Sequence, residues 1–138
     1  MHPFRQAVEA HDAAAIEALL ADDVVFTSPV AFKPYPGRAI TSAILRGVLR
    51  VFEDFRYVRE IADPNGRDAA LVFEATVAGK RLTGCDFVHL DEAGKVDELT
   101  VMVRPLSAAT ALAEAMGAQF DRIQREAAEQ VRREAAQA

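Results

Sequence analysis

Leu82-Thr83-Gly84-Cys85-Asp86-Phe87-Val88-His89-Leu90 reads as a β-strand carrying a single carboxylate. Strand side chains alternate between faces, so Gly84, Asp86, Val88 and Leu90 share one side, and Thr83, Cys85, Phe87 and His89 the other. The first set is apolar apart from Asp86 and is the one expected to point into a core. A carboxylate there must be paired, hydrogen-bonded or held neutral by a raised pKa, which makes Asp86 a stronger functional candidate than any surface charge.

The flanking sequence builds a sheet around this strand. Gly79-Lys80 turns the chain out of Ala69 to Ala78, where Leu71, Phe73, Ala75 and Val77 alternate with Val72, Glu74 and Thr76. On the other side, Asp91-Glu92-Ala93-Gly94-Lys95 turns it into Val96 to Arg104. Upstream, Phe55 to Ile61 predicts a further strand, closed by the turn Asp63-Pro64-Asn65-Gly66. Together these predict an antiparallel meander.

Helical signals surround the meander. The first 21 residues predict two helical pieces, with Pro3 at a first helical position, Asp12 as the second cap, and Phe4, Val8, Ala15 and Leu19 on one face. Val24 to Ser28 is β-rich and stops at Pro29, and the prolines of Lys33-Pro34-Tyr35-Pro36-Gly37 predict an irregular loop. From Arg38 to Glu53, Ile40, Ile44, Val48 and Val51 recur at helical spacing, with Arg46 and Arg50 opposite. After Pro105, Ser107 is the expected N-cap of a last helix of about thirty residues. Its stripe of Leu112, Met116, Phe120, Ile123, Ala127 and Val131 is expected to dock on the body, with packing across the sheet, covering a cavity and pairing with a second subunit all open to it. Helices, a strand, a helix and a meander indicate an α+β fold with helices over one sheet face.

Composition limits the function classes. At 138 residues, 51% hydrophobic and 27% charged, the chain is expected to form one globular domain over residues 1–138. A formal charge of −5 argues against general affinity for nucleic acid or anionic membrane. Cys85 is the sole cysteine, which excludes an internal disulfide and a cysteine-based zinc site and fits a reducing cytoplasm. No apolar signal segment opens the sequence, and no run approaches the ~18 apolar residues of a membrane span. The protein is expected to be cytoplasmic.

Three segments carry a family likeness. Leu20-Ala21-Asp22-Asp23-Val24-Val25-Phe26-Thr27-Ser28-Pro29-Val30, the Pro36-Gly37-Arg38 helix entry, and Asp86 through Val96 resemble the nuclear transport factor 2-like superfamily, and within it the SnoaL-like branch. The likeness covers residues 1–105 and leaves 106–138 as an added C-terminal helix. It implies a cone-shaped, strongly curved antiparallel sheet around a deep apolar cavity, a homodimer, and kinship with ketosteroid isomerase and polyketide cyclases. Aligned on the isomerase, the general-base aspartate falls on Ser28, the oxyanion-hole tyrosine on Phe4, and the protonated, hydrogen-bond-donating aspartate on Asp86. The arginine that limonene epoxide hydrolase uses falls on Gly84. Neither complete mechanism is carried over.

The residues therefore nominate Asp86 as acid or oxyanion donor, Ser28 and Tyr35 as polar orienters, and Phe26, Phe73, Val88, Leu99 and Val101 as apolar walls for a small hydrophobic molecule. His89 is expected on the outer face, and His2, His11 and His89 have no metal-ligand spacing, so no metal or cofactor is expected. Glu74, Glu98, Thr100, Met102 and Arg104 fall on the outward face that the likeness assigns to a dimer. Three uses of the pocket stay open: proton-transfer chemistry such as isomerisation, cyclisation or dehydration; noncatalytic ligand binding or sensing; and a partner-binding dimer with a vestigial cavity.

Overall fold

A computed structural model describes residues 1–137; Ala138 lies outside the described residues. The elements are α1 (Pro3–Glu9), α2 (Ala13–Leu19), β1 (Leu20–Thr27), β2 (Tyr35–Pro36), α3 (Arg38–Val51), β3 (Glu53–Ala62), β4 (Asp68–Val77), β5 (Lys80–Leu90), β6 (Val96–Arg104) and α4 (Leu106–Gln137). Local chemistry sets their ends. The Asp12 carboxylate accepts the Ala15 N–H at 3.0 Å and starts α2. In the β5–β6 turn, Asp91 Oδ1 accepts the N–H groups of Ala93 and Lys95, both at 2.9 Å.

The sheet runs in the order β2-β1-β6-β5-β4-β3 and is curved. Strands β3 to β6 form the expected antiparallel meander. Strand β1 joins it differently, pairing with β6 in parallel with Phe26 opposite Leu99, so one of the pairings departs from an all-antiparallel sheet. The long excursion from β1 through α3 and the meander is what allows β1 to lie beside β6 in that sense. A second departure concerns the proline-rich segment. Tyr35 and Pro36 make a short edge strand against β1, with Tyr35 opposite Phe26. Pro36 is tolerated because the sheet edge asks less of its missing N–H.

Helix α4 starts one residue before the expected cap. The Pro105 carbonyl accepts the Ala109 N–H at 3.0 Å, so Pro105 is the boundary residue and Ser107 lies in the first turn.

The inward sets form the core as the alternation requires. Leu71, Phe73, Ala75 and Val77 of β4 and Leu82, Gly84, Asp86 and Val88 of β5 are buried. Gly84 lies directly across from Phe73, and a Cβ built on it would fall 2.2 Å from the Phe73 ring. The phenyl ring occupies the space that a side chain at position 84 would need. Phe73 in turn stacks on Phe55, with ring centroids 4.8 Å apart.

Helix α4 lies along α3 and is fastened by an arginine ladder. Arg46 Nε donates to Glu126 at 3.0 Å, Arg50 Nε to Gln119 at 2.8 Å, and Arg38 Nη2 to Glu134 at 3.0 Å, while Arg50 Nη2 lies 3.1 Å from Glu126. Burial by itself would raise the Glu126 carboxyl, but the Arg46 hydrogen bond and the charges of Arg50, Arg46 and Arg122 outweigh it and hold the group below its ordinary range. The helices approach closely at Gly47, where a Cβ would come 2.9 Å from Ile123 Cδ1.

Two stability outcomes follow. Gly84→Ala is expected to lose about 1–3 kcal/mol in urea unfolding, because Phe73 must leave its rotamer; an unchanged midpoint refutes the packing account. Glu126→Gln is expected to lose about 1–2 kcal/mol at neutral pH. With the folded-state pKa depressed, Glu126 stabilises above the ordinary glutamate range, and this contribution disappears as pH falls through it. The variant and the parent should therefore converge in acid, and a constant gap in the unfolding midpoint between pH 3 and 7 contradicts that role.

Candidate functional site

A cavity of about 230 Å³ lies between the concave sheet face, α3 and α4. Its sheet side is formed by Phe26, Phe73, Asp86 and Val101, and its α3 side by Ile44, Leu45 and Val48, with Phe52 and Phe55 following. Helix α4 supplies Leu112, Met116, Phe120 and Ile123, and the segment Ser28 to Ala31 completes the rim. Among the described lining residues, Asp86 is the sole carboxylic acid, and Ser28 and Tyr35 are the other polar side chains.

Asp86 is 7% exposed. Its Oδ2 accepts a hydrogen bond from the Tyr57 hydroxyl at 2.6 Å. Desolvation raises the carboxyl and the Tyr57 bond lowers it, with the net result that Asp86 is pushed up to about 7. Burial, together with the Asp86 charge, also pushes the Tyr57 phenol upward, so Tyr57 stays a donor across the physiological range. One carboxyl oxygen is thus committed to Tyr57. A neutral Asp86 can accept that bond and still donate its own O–H from the other oxygen.

Tyr57 is itself held from outside the cavity. The Arg5 guanidinium lies 5.8 Å over its ring, and Arg5 Nη1 also reaches Glu60 at 3.4 Å. Tyr57 does not line the cavity; it stands behind Asp86 and sets its orientation. Sequence reading missed it. The available signal was the Phe55, Tyr57 alternation in β3, which placed the tyrosine on the aromatic inward side, but nothing local indicated that its hydroxyl would meet a carboxylate from β5.

The other nominated residues divide. Phe26, Phe73, Val101, Ser28 and Tyr35 line the cavity with Asp86. Val88 and Leu99 do not: they sit opposite one another in the β5–β6 register, 2% and 0% exposed, within the packed core. Sharing the inward face with Asp86 is not enough to reach the cavity, because packed side chains occupy that length of the sheet. Ser28 Oγ accepts the Val30 N–H at 3.1 Å, so its hydroxyl shapes the rim loop. Tyr35 sits on β2, not in an irregular loop, between the rings of Phe26 and Phe120, with centroids 6.3 Å from each.

Phe4 is buried at 2% in the core, where a phenol would have been the isomerase-like donor. His89 lies on the outer face, its Nδ1 2.6 Å from Asp97 Oδ1. Of the placements open to the α4 stripe, the structure has it cover the cavity, because Leu112, Met116, Phe120 and Ile123 are spaced to face one side of the helix. No group of three or more histidine, cysteine or acidic side chains among the described residues is arranged to hold a metal ion.

Comparison with known proteins places this geometry in a family. The steroid delta-isomerase of Pseudomonas aeruginosa is 39% identical, with a TM-score of 0.82 over 88% of this chain and 89% of that one. A bacterial protein with a cystatin-like fold from Silicibacter pomeroyi is 34% identical, with a TM-score of 0.83 over 91% of this chain and 93% of that one. The epoxide hydrolase/cyclase-like enzyme of pyran ring formation in the polyether salinomycin is 18% identical, with a TM-score of 0.62 over 76% of this chain and 87% of that one, and shares the fold alone. Among curated protein sequences, none matches significantly. The SnoaL-like domain matches residues 2–99, and the chain belongs to that family, a relative of the isomerases and cyclases built on the nuclear transport factor 2-like fold.

Proposed function

We propose that the protein binds a hydrophobic cyclic or polyketide-like small molecule in this cavity and polarises a ligand oxygen with the O–H of neutral Asp86, in support of proton-transfer chemistry such as isomerisation, cyclisation or dehydration. The observation that carries the reading is the Tyr57–Asp86 pair, a buried acid with one oxygen fixed by a phenol, on the wall of an otherwise apolar cavity. A donor aimed at an oxygen that gains charge stabilises the transition state more than the ground state, and a water-poor cavity strengthens it. The 39% identical steroid delta-isomerase supports the same class of chemistry.

Ser28 and Tyr35 act as polar orienters at the rim. Among the described residues the lining holds no second carboxylate to serve as base, so on this reading the base is water or a group of the ligand. That absence favours the noncatalytic binding or sensing reading as the alternative, and turnover separates the two. We also propose a homodimer in which the outward sheet face pairs with itself. Phe87, Met102 and Val58 stand 43%, 59% and 50% exposed. No described helix is long and apolar enough to cross a membrane; the cytoplasmic location we propose rests on the single cysteine, which fits a reducing compartment.

Thermal shift with a panel of cyclic enones and planar phenols tests the pocket. Wild type is expected to be stabilised by the enones below about pH 7 and to lose that effect as Asp86 ionises, and Asp86→Asn to remove its pH dependence. No shift with any compound at any pH rejects the pocket. Tyr57→Phe removes the bond that lowers the carboxyl, so the pH at which binding fades should move upward; an unchanged or lower midpoint rejects the Tyr57 role.

Ligand-free stability has a definite sign as well. The folded-state pKa of Asp86 lies above the unfolded value, so the folded protein binds the extra proton between about pH 4 and 7. Stability on this account is greatest below that window, falls across it, and is level above it. From pH 5 to 8 the wild-type Tm should drop by roughly 10 °C relative to Asp86→Asn. Parallel curves for the two proteins contradict the buried-acid assignment.

A further inference from the structure

The cavity changes character from floor to rim. Phe73 and Ile123 are 1% and 0% exposed and Asp86 is 7% exposed, whereas Val30, Ala113 and Gly117 on the same lining are exposed. The opening therefore lies between the Ser28–Ala31 segment and the Ala113–Gly117 turn of α4. Ala113 and Gly117 are four residues apart on one helix face, stacked one above the other.

Gly117 has no explanation in the fold. It sits inside a 32-residue helix, where glycine costs about 1 kcal/mol relative to alanine. A Cβ there would meet no atom within 4 Å, so packing does not require its absence. Gly47 is the contrast: its missing side chain lets Ile123 and Met116 approach. Gly117 stands on the cavity lining at its exposed edge, and the position beside it is open.

The enclosed volume limits what can be held. About 230 Å³ lies below the ~300–1,000 Å³ of sites that bury a drug-sized ligand, so the cavity accommodates a ring and little more. One Asp86 oxygen is committed to Tyr57, and the carboxyl's remaining hydrogen-bonding capacity lies on the cavity wall, which fixes the ring's oxygen end. Anything attached to the far side of that ring must leave through the opening. The opening is mostly apolar, with Pro29, Val30, Ala31 and Ala113 beside Ser28, whose hydroxyl accepts the Val30 N–H, and the next residue in the chain, Phe32, is 98% exposed.

We infer that the ligand is an oxygen-bearing ring with an apolar chain, the ring held at Asp86 and the chain threaded out between the Val30–Ala31 rim and Gly117, which acts as the specificity-determining residue for chain length and width. This rests on the proposed pocket reading and adds the substrate class and the residue that selects it.

Isothermal titration at pH 6 with p-cresol, 4-pentylphenol and 4-octylphenol tests it, using wild type, Gly117→Leu, Gly117→Ala and Asp86→Asn. Wild type should gain up to about fourfold in affinity per added methylene over the first few, as each is buried in the apolar exit, and then level off. Gly117→Leu should lose at least tenfold more affinity for 4-octylphenol than for p-cresol, with Gly117→Ala between wild type and Gly117→Leu. Asp86→Asn should weaken all three phenols, which separates threaded binding from adsorption of the long chain to the surface.

If wild type binds none of the phenols, the pocket reading falls and this inference with it. If p-cresol binds through Asp86 but longer chains add nothing, or Gly117→Leu weakens short and long phenols equally, the threading inference is overturned while the pocket reading stands.

Discussion

Everything in this site depends on keeping one carboxyl group out of water. A buried carboxylate without partners carries a large desolvation cost, and here the cost is met by neutralisation and by one phenol. Tyr57 satisfies Oδ2 at 2.6 Å and leaves the rest of the group to the cavity. The balance of these opposing effects puts Asp86 at about 7, where its proton is available near neutral pH. A more exposed Asp86 would be an ordinary carboxylate, and a fully satisfied one would have nothing left to offer a ligand.

The packing around Asp86 serves that balance. Gly84 has no side chain because Phe73 fills its place, and Phe73 with Phe55 and Phe52 forms an aromatic floor beside the acid. This is also why the arginine of the epoxide hydrolase arrangement has no room here, since position 84 faces a ring. On the opposite side, α4 seals the cavity with Leu112, Met116, Phe120 and Ile123. Its attachment to α3 mixes apolar contact with the ladder of Arg38, Arg46 and Arg50, so closure of the cavity is coupled to ion pairs that lie at the protein surface. Surface pairs are weak singly, but Glu126 shared between two arginines holds one register of α4 on α3.

Legibility in the sequence followed the range of the interaction concerned. The meander, the Asp12 cap and the turns were readable because alternation and turn chemistry act within a few residues. The inward position of Asp86 was readable for the same reason. The parallel seat of β1 on β6 was not, since it joins segments some seventy residues apart and nothing local encodes the direction of pairing. Tyr57 escaped because its importance lies in a bond across 29 sequence positions. Val88 and Leu99 were placed on the correct face but at the wrong depth, because alternation gives a side and not a position along the sheet. The α4 stripe was visible as apolar, yet whether such a stripe meets another helix or roofs a cavity depends on what lies beneath it.

The two positions that depart from the isomerase pattern fit a single physical account. A phenol at position 4 would need a polar partner, and Phe4 is instead packed in the core at 2% exposure, so the donor is replaced by an apolar contact. Ser28 directs its hydroxyl to its own loop, accepting from Val30, and so shapes the rim instead of taking protons. Of the two phenols, Tyr57 donates to Asp86 and not to the cavity, and Tyr35 stands at the rim between the rings of Phe26 and Phe120. A site with two donors and a base is thereby reduced to one donor held by a second. Such a site can orient and polarise an oxygen, but removal of a proton from carbon must draw on water or on the ligand itself. On the proposed reading, this shifts selectivity from acid–base groups to shape, which is why the side-chain-free position on α4 matters more here than any polar residue at the rim.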